Sequence, residues 1–354
     1  MMESQNTARR VLRGVFIRLM LVSAALLCGE CILRAVVFLG AFDDLHPFST
    51  LVRTGIPSQI DMRDARFKRI ENSVLGWAPV PGKHGEFRIN SHGFRGPEVS
   101  ITPSVDHIRV AVVGDSETFG TSLREEETLP VQFQKYLNKS CVSVEVLNFG
   151  VPGYNVQQYE EIIAEKVLKF YPDVIVVVFN FNDIEFGLHS GVYRPPPVIG
   201  DLYLYKLAWA LRFFAVRRST MGLSGEDYYL SMYQSRHFDL VERHLANIAD
   251  TCSRRSVPAV LIILPPIVGA KKDFEANYPY WPIHRKLTAV ASNGFTLVDS
   301  LSAMRSVDEA YGRRAMSVSG GDFHKSGLVF REIVAEAGPV VCQTLQSSNI
   351  RRTP

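Results

Sequence analysis

Several function classes are removed by what this chain lacks. No GxxxxGK run followed by Ser or Thr occurs in its 354 residues, so the loop that cradles nucleotide phosphates is missing. No CxxC pair is matched by a second one, which takes away the thiolate ladder of a zinc module. Charge is sparse and balanced, at 21% of residues and net +3, and nothing in it suggests a nucleic-acid partner. No internal repeat is visible. Cysteine is scarce: Cys28 and Cys31 fall in an apolar stretch, leaving Cys141, Cys252 and Cys342. Three is an odd number, so at most one disulfide can form among them, and buried free thiols are equally open.

The amino-terminal part is built differently from the rest. Arg9, Arg10, Arg13 and Arg18 precede Leu19–Phe42, which is apolar apart from Ser23, Glu30 and Arg34. At about 1.5 Å per residue such a helix crosses a hydrocarbon core of about 30 Å. Basic residues before it and Asp43-Asp44 after it orient the amino terminus toward the cytoplasm. Glu30 and Arg34 lie four apart in the acid-first order that lets them pair on one helix face. The stretch is longer than a signal-peptide core and no small-x-small cleavage site follows it. Cys28 follows Leu27 and Cys31 follows Glu30, neither being the small residue that precedes a lipid-attachment cysteine. The expectation is a retained single-pass anchor of the cell (inner) membrane, with residues 1–18 cytoplasmic, 19–42 spanning, and the remainder periplasmic.

Residues 43–104 are rich in proline and glycine, as in LGWAPVPGKHG (75–85) and INSHGFRGPE (89–98), and read as a connector of turns with one short strand at Glu86–Asn90. Structural roles are expected for His92 and Arg95, with a substrate contact as the other reading. From Val105 strand and helix alternate. Apolar runs at Ile108–Val113, Val142–Asn148, Asp173–Phe179, Ala259–Leu264 and Phe295–Val298 read as strands. Helical spacing covers Glu125–Leu137, Val156–Phe170, 236–253, 283–292 and Gly327–Leu345. The alternation predicts an α/β domain over 105–348, a doubly wound, flavodoxin-like parallel sheet of about five strands with flanking helices. An insertion at 187–235 interrupts it. Its aromatic run LYLYKLAWALRFFAV (202–216) reads as a core helix of the insertion, with a lid or a bilayer-touching surface as the other readings.

The first strand ends in Gly114-Asp115-Ser116, at the carboxyl edge where open α/β sheets place their chemistry. Ser116 is either a nucleophile there or a plain helix N-cap. Three further segments fall at equivalent places: NFGVPGYN (148–155), NFNDI (180–184) and GGDFHKSG (320–327). With LGWAPVPG, EFRINSHGFRGPE and EETLP (126–130) ahead of or between them, this order resembles the SGNH/GDSL hydrolase superfamily, in its membrane-anchored exported bacterial form. The Glu30 and Arg34 pair late in the anchor is shared by that form.

The resemblance implies an acyl-transfer site. Ser116 would be the nucleophile and His324 its base, with Asp322 orienting the imidazole. The oxyanion would be held by the backbone N–H groups of Ser116 and Gly153 and by the amide of Asn182. Gly153, six positions into its block counting Asn148 as the first, is favoured over Gly150. Two departures stand out. Asn180 replaces the family's glycine, and Asp322 stands in D-x-H spacing where the family has D-x-x-H, which leaves Asp299 as a fallback acid. Asp183 reads as structural. No metal and no cofactor are expected. The expected activity is an extracytoplasmic serine esterase or deacylase acting on an O-acylated small molecule, lipid or glycan. An O-acetyltransferase for a cell-surface or exported polysaccharide, and a catalytically silent binding module of an export system, are the alternatives.

Overall fold

The computed structural model describes residues 2–39, 66–70, 74–104, 108–185, 202–208, 211, 225–268, 273–318 and 324–347. The chain divides into two compact units, one of residues 1–57 with 193–219, the other of 58–192 with 220–354.

In the first unit a single helix runs from Met2 to Phe38. Its Arg13–Val36 portion is long and apolar enough to cross a membrane, and leucines such as Leu26 and Leu27 are exposed along it. Arg34 Nε donates to Glu30 Oε1 at 2.7 Å, the pairing that their spacing predicts. Residues 203–208 of the aromatic run are helical, and Glu30 accepts from the backbone N–H groups of Tyr203 and Leu204 at 2.8 and 2.9 Å. The start of the aromatic run therefore bonds to the amino-terminal helix, while residues 209–210 and 212–216 of the run, and with 186–201 and 217–224 most of the expected insertion, lie outside the described residues.

The second unit is built on a five-stranded parallel sheet. Four short strands precede it, β1 (Phe67–Arg69) paired with β2 (Trp77–Pro79), and β3 (Gly82–His84) paired with β4 (Phe87–Ile89), both antiparallel. The main sheet comprises β5 (Ile108–Gly114), β6 (Val144–Gly150), β7 (Val174–Asn180), β8 (Ala259–Leu264) and β9 (Thr296–Asp299) in the order β6-β5-β7-β8-β9. Every residue of β5, β7 and β8 is buried, as unbroken apolar runs covered on both faces require. The one charge within β5, Arg109, is buried by design of its surroundings. Its guanidinium meets Glu145 at 2.6 Å and the carbonyls of Ser100, Ile101 and Phe170.

Helices flank the sheet at Leu129–Ser140, Val156–Glu165, His237–Arg254, Trp281–Ala291, Leu301–Tyr311 and Gly327–Ser347. Pro130 stands in the first turn of Leu129–Ser140, where its missing N–H costs nothing; that helix therefore starts after a separate 3-10 turn at Glu125–Glu127. The expected helix over Val156–Phe170 breaks at Lys166 into a 3-10 turn, Val167–Phe170. A disulfide joins Cys141 to Cys342, Cα atoms 5.8 Å apart, tying the helix Leu129–Ser140 to the last helix. Cys252 is a buried free thiol, and burial pushes it up to about 12.

Candidate active site

All five parallel strands end at one edge, and the first three sequence blocks emerge there side by side, at the ends of the neighbouring strands β6, β5 and β7. Gly114 is followed by a one-turn helix, Ser116–Phe119. A Cβ at Gly114 would lie 2.1 Å from Thr118 Oγ1 and 3.2 Å from the Val178 carbonyl oxygen, so this position needs glycine because the turn folds back tightly on the sheet. Asp115 caps the short helix, its Oδ1 accepting from the Glu117 N–H at 2.9 Å. The cap duty that Ser116 could have taken thus belongs to its neighbour, and Ser116 stands at the first helical position, half-buried.

The two glycines of the second block have different work. A Cβ at Gly150 would sit 2.2 Å from the Phe119 nitrogen, so Gly150 lets β6 approach the serine turn. Gly153 has φ +77°, a left-handed conformation in the loop after β6. The connector clasps this loop. Trp77 Nε1 donates to the Pro152 carbonyl at 3.0 Å, Tyr154 Oη donates to the Trp77 carbonyl at 2.6 Å, and Gln158 Nε2 donates to the Leu75 carbonyl at 2.8 Å. Arg95 does the same for the segment after the serine turn, donating to the carbonyls of Phe119, Gly120 and Leu123 at 2.7–3.0 Å. Burial brings its pKa down to about 10. His92 bonds to the Val99 carbonyl. Both residues serve the scaffold.

The third block converges on Asp115. Asn182 Nδ2 donates to Asp115 Oδ2 at 3.2 Å, and Asn180 Nδ2 donates to the same oxygen at 3.4 Å. Asn180, where a glycine was expected, is thus a polar contact folded into the site floor, with its Oδ1 accepting from the Phe181 N–H. Asp183 is fully buried and accepts from the Asn180 N–H at 2.7 Å. Burial, and then the charge of Glu117, push the Asp115 carboxyl above its ordinary value. Burial and then Asp115 do the same to Asp183, more strongly. Asp115 was missed by sequence reasoning because its two partners lie 65 and 67 positions away.

The fourth block is held by a buried ion pair. Lys325 Nζ lies 3.0 Å from Glu117 Oε1, with the two side chains 2% and 4% exposed. The backbone N–H of Lys325 donates to Glu117 Oε2, also at 3.0 Å. One residue back on each segment stand Ser116 and His324, so the pair brings the histidine segment to the serine turn. The His324 carbonyl accepts from the Val318 N–H, and the Ser326 N–H donates to the Met316 carbonyl, which pins the same loop from its other side. Asp322 lies outside the described residues. The fallback acid, Asp299, is committed elsewhere. Its Oδ2 is 2.6 Å from Nδ1 of His284, whose Nε2 is 2.8 Å from Tyr278 Oη. No local pattern marked His284. Among the described residues no three His, Cys, Asp or Glu side chains group to hold a metal.

No protein-family model and no curated protein matches the chain. Solved structures do. The chain is similar to TesA, at 16% identity over 68% of this chain and 99% of that one, TM-score 0.41. It is also similar to a catalytic mutant of Axe2, an acetylxylan esterase from Geobacillus stearothermophilus, at 15% identity over 68% and 94%, TM-score 0.43. A third is AlinE4, an SGNH-hydrolase family esterase, at 18% identity over 68% and 97%, TM-score 0.36.

Proposed function

We propose that the protein is a serine esterase or deacylase whose catalytic unit lies outside the cytoplasm and cleaves an O-acyl ester. The observation that carries this reading is the buried Glu117–Lys325 pair, which joins the residue after Ser116 to the residue after His324. A serine on a tight turn, a histidine segment tethered to it, and an amide bonded to the residue before that serine are parts that acyl transfer needs.

Ser116 Oγ attacks the ester carbonyl carbon as His324 Nε2 takes its proton. The carbonyl oxygen, now negative, is held by the N–H groups of Ser116 and Gly153 and by Asn182. Asp115 accepts from one N–H of the Asn182 amide and so fixes the direction of the other. His324 returns the proton to the departing alkoxide, which leaves as an alcohol. Water, deprotonated by the same imidazole, then attacks the acyl carbon, and the imidazolium returns that proton to Ser116 Oγ as the C–O bond to the serine breaks and the acid leaves. Asp322 orients the imidazole from two positions upstream. The location is supported by the basic residues ahead of the anchor and by the Cys141–Cys342 disulfide, a bond of oxidising compartments. A retained anchor, as against a cleaved leader, is supported by the hydrogen bonds that make its Glu30 part of the folded first unit.

The test is hydrolysis of a short-chain aryl ester by the purified protein and by Ser116→Ala. Turnover by the wild type that is abolished in the variant, with circular dichroism unchanged, is the expected result. Equal rates in the two would end the proposal.

A further inference from the structure

Glu30 is a carboxylate in a helix that is otherwise apolar enough to span a membrane, yet it is only 7% exposed. Its neighbours explain the burial. One oxygen accepts from Arg34 Nε and the Tyr203 N–H, the other from the Leu204 N–H. Tyr203 and Leu204 open the helical segment 203–208, and the first N–H groups of a helix have no partner within it. In water they would need none. In hydrocarbon no water can satisfy them, so an internal acceptor is required. Glu30 is eight residues before the end of the long helix at Phe38, about 12 Å along its axis.

The contact is close and continues beyond the carboxylate. A Cβ at Gly29 would lie 3.6 Å from Leu204 Cδ1, an ordinary van der Waals contact, so the side chain of Leu204 rests over the long helix at Gly29. The Arg34 guanidinium stands 5.1 Å from the Tyr203 ring centre, and the Lys206 ammonium 5.0 Å from it. Around this polar centre the surface is apolar: Leu202 and Leu211 are 39% and 57% exposed, and Leu26 and Ile32 on the long helix 58% and 64%. An ionisable residue in a spanning helix marks a functional contact by default, and here its partner is identified.

We infer that residues 202–208 with Leu211 belong to a second membrane-embedded element, docked in the outer leaflet against the anchor through Glu30, so that the insertion holds the chain to lipid at a second point. This rests on the retained-anchor reading. The partner it fits is the acyl region of the bilayer. Leu202 and Leu211 face it, and the Glu30 carboxylate removes the unpaired amides that would otherwise keep a helix start out of it.

The test uses the full chain with Cys28, Cys31 and Cys252 replaced by Ser, leaving the disulfide intact, in vesicles of phosphatidylethanolamine and phosphatidylglycerol. A nitroxide is placed at Leu211→Cys or at Leu26→Cys, both exposed positions that protein packing does not shield. Collision with oxygen, which concentrates in lipid, is compared with collision with a water-soluble nickel chelate. Oxygen should dominate at both positions. Nickel dominating at 211 while oxygen dominates at 26 would overturn the inference and leave the anchor standing. Nickel dominating at both would overturn the anchor reading and the inference with it. Adding Glu30→Ala to the 211 probe should shift it several-fold toward nickel, and no shift would show that Glu30 does not hold the segment.

Discussion

Replacing Glu117 by Gln leaves the Lys325 ammonium in a site that is 2% exposed, without its counter-charge. Removing one member of a buried pair costs about 3–5 kcal/mol, because the remaining charge keeps its desolvation penalty and loses its partner. Against a total stability on the order of 5–15 kcal/mol for a domain, that is a large loss. Lys325→Met should cost a similar amount by stranding the carboxylate, which would still accept from the Lys325-position N–H that bonds Glu117 Oε2. The double variant, Glu117→Gln with Lys325→Met, removes both charges. It should recover most of the loss, because a buried pair exchanged for uncharged groups of similar size is often neutral or better. Activity should not follow stability. If the pair positions His324 beside Ser116, the double variant folds well but turns over slowly, with kcat reduced and KM little changed. Urea denaturation of the four proteins gives the coupling, and steady-state hydrolysis of an aryl ester gives the kinetics. Single variants within about 0.5 kcal/mol of wild type, the range of ordinary surface changes, would refute the reasoning. So would a double variant with full kcat.

Asn182→Ala should lower kcat by roughly 10²–10³, the loss typical of one oxyanion donor, and an unchanged rate in steady-state assay would remove Asn182 from the site. Asp183 is a carboxyl raised by burial and by Asp115. Its folded form holds a proton that the unfolded chain has lost, so it lowers stability as pH rises from about the ordinary 3.8 through its raised value. Urea midpoints measured from pH 4 upward should therefore fall less steeply in Asp183→Asn than in wild type, and equal slopes would contradict this. Asp322→Asn should cut kcat strongly, by up to the roughly 10⁴-fold seen when the orienting acid of a serine protease is so changed. Asp299→Asn should disturb the His284 contact and stability while sparing kcat; the opposite pattern in paired assays would transfer the orienting role to Asp299.

The strands were legible because burial on both faces writes itself as unbroken apolar runs. Asp173–Phe179 was expected and Val174–Asn180 observed; Ala259–Leu264 matches at both ends. The helix Leu301–Tyr311 was not foreseen. Its buried residues, Leu301, Ala303, Met304 and Val307, make a narrow stripe in a short polar segment, too weak a period to separate from a loop. The site's blocks were legible as local words, and Ser116, Gly153, Asn182 and His324 each sit in one. What joins them was not. Lys325 meets Glu117 across 208 positions, and Asp115 gathers Asn180 and Asn182 from another strand end. No periodicity records a partner that only the closed sheet supplies. The same holds for Glu30, whose pairing with Arg34 follows from helical spacing, whereas its bonds to Tyr203 and Leu204 span 173 and 174 positions.

The central claim is that Ser116 is a base-activated nucleophile, and covalent labelling reaches it most directly. Wild type, Ser116→Ala and His324→Ala are treated with a fluorophosphonate, and the adduct is located by mass spectrometry of the proteolysed protein. The account predicts one adduct, on the peptide carrying Ser116, absent from Ser116→Ala and strongly slowed in His324→Ala, since a serine without its base attacks such probes poorly. A folded wild type that takes no label, or an adduct on another residue that persists in Ser116→Ala, would contradict it.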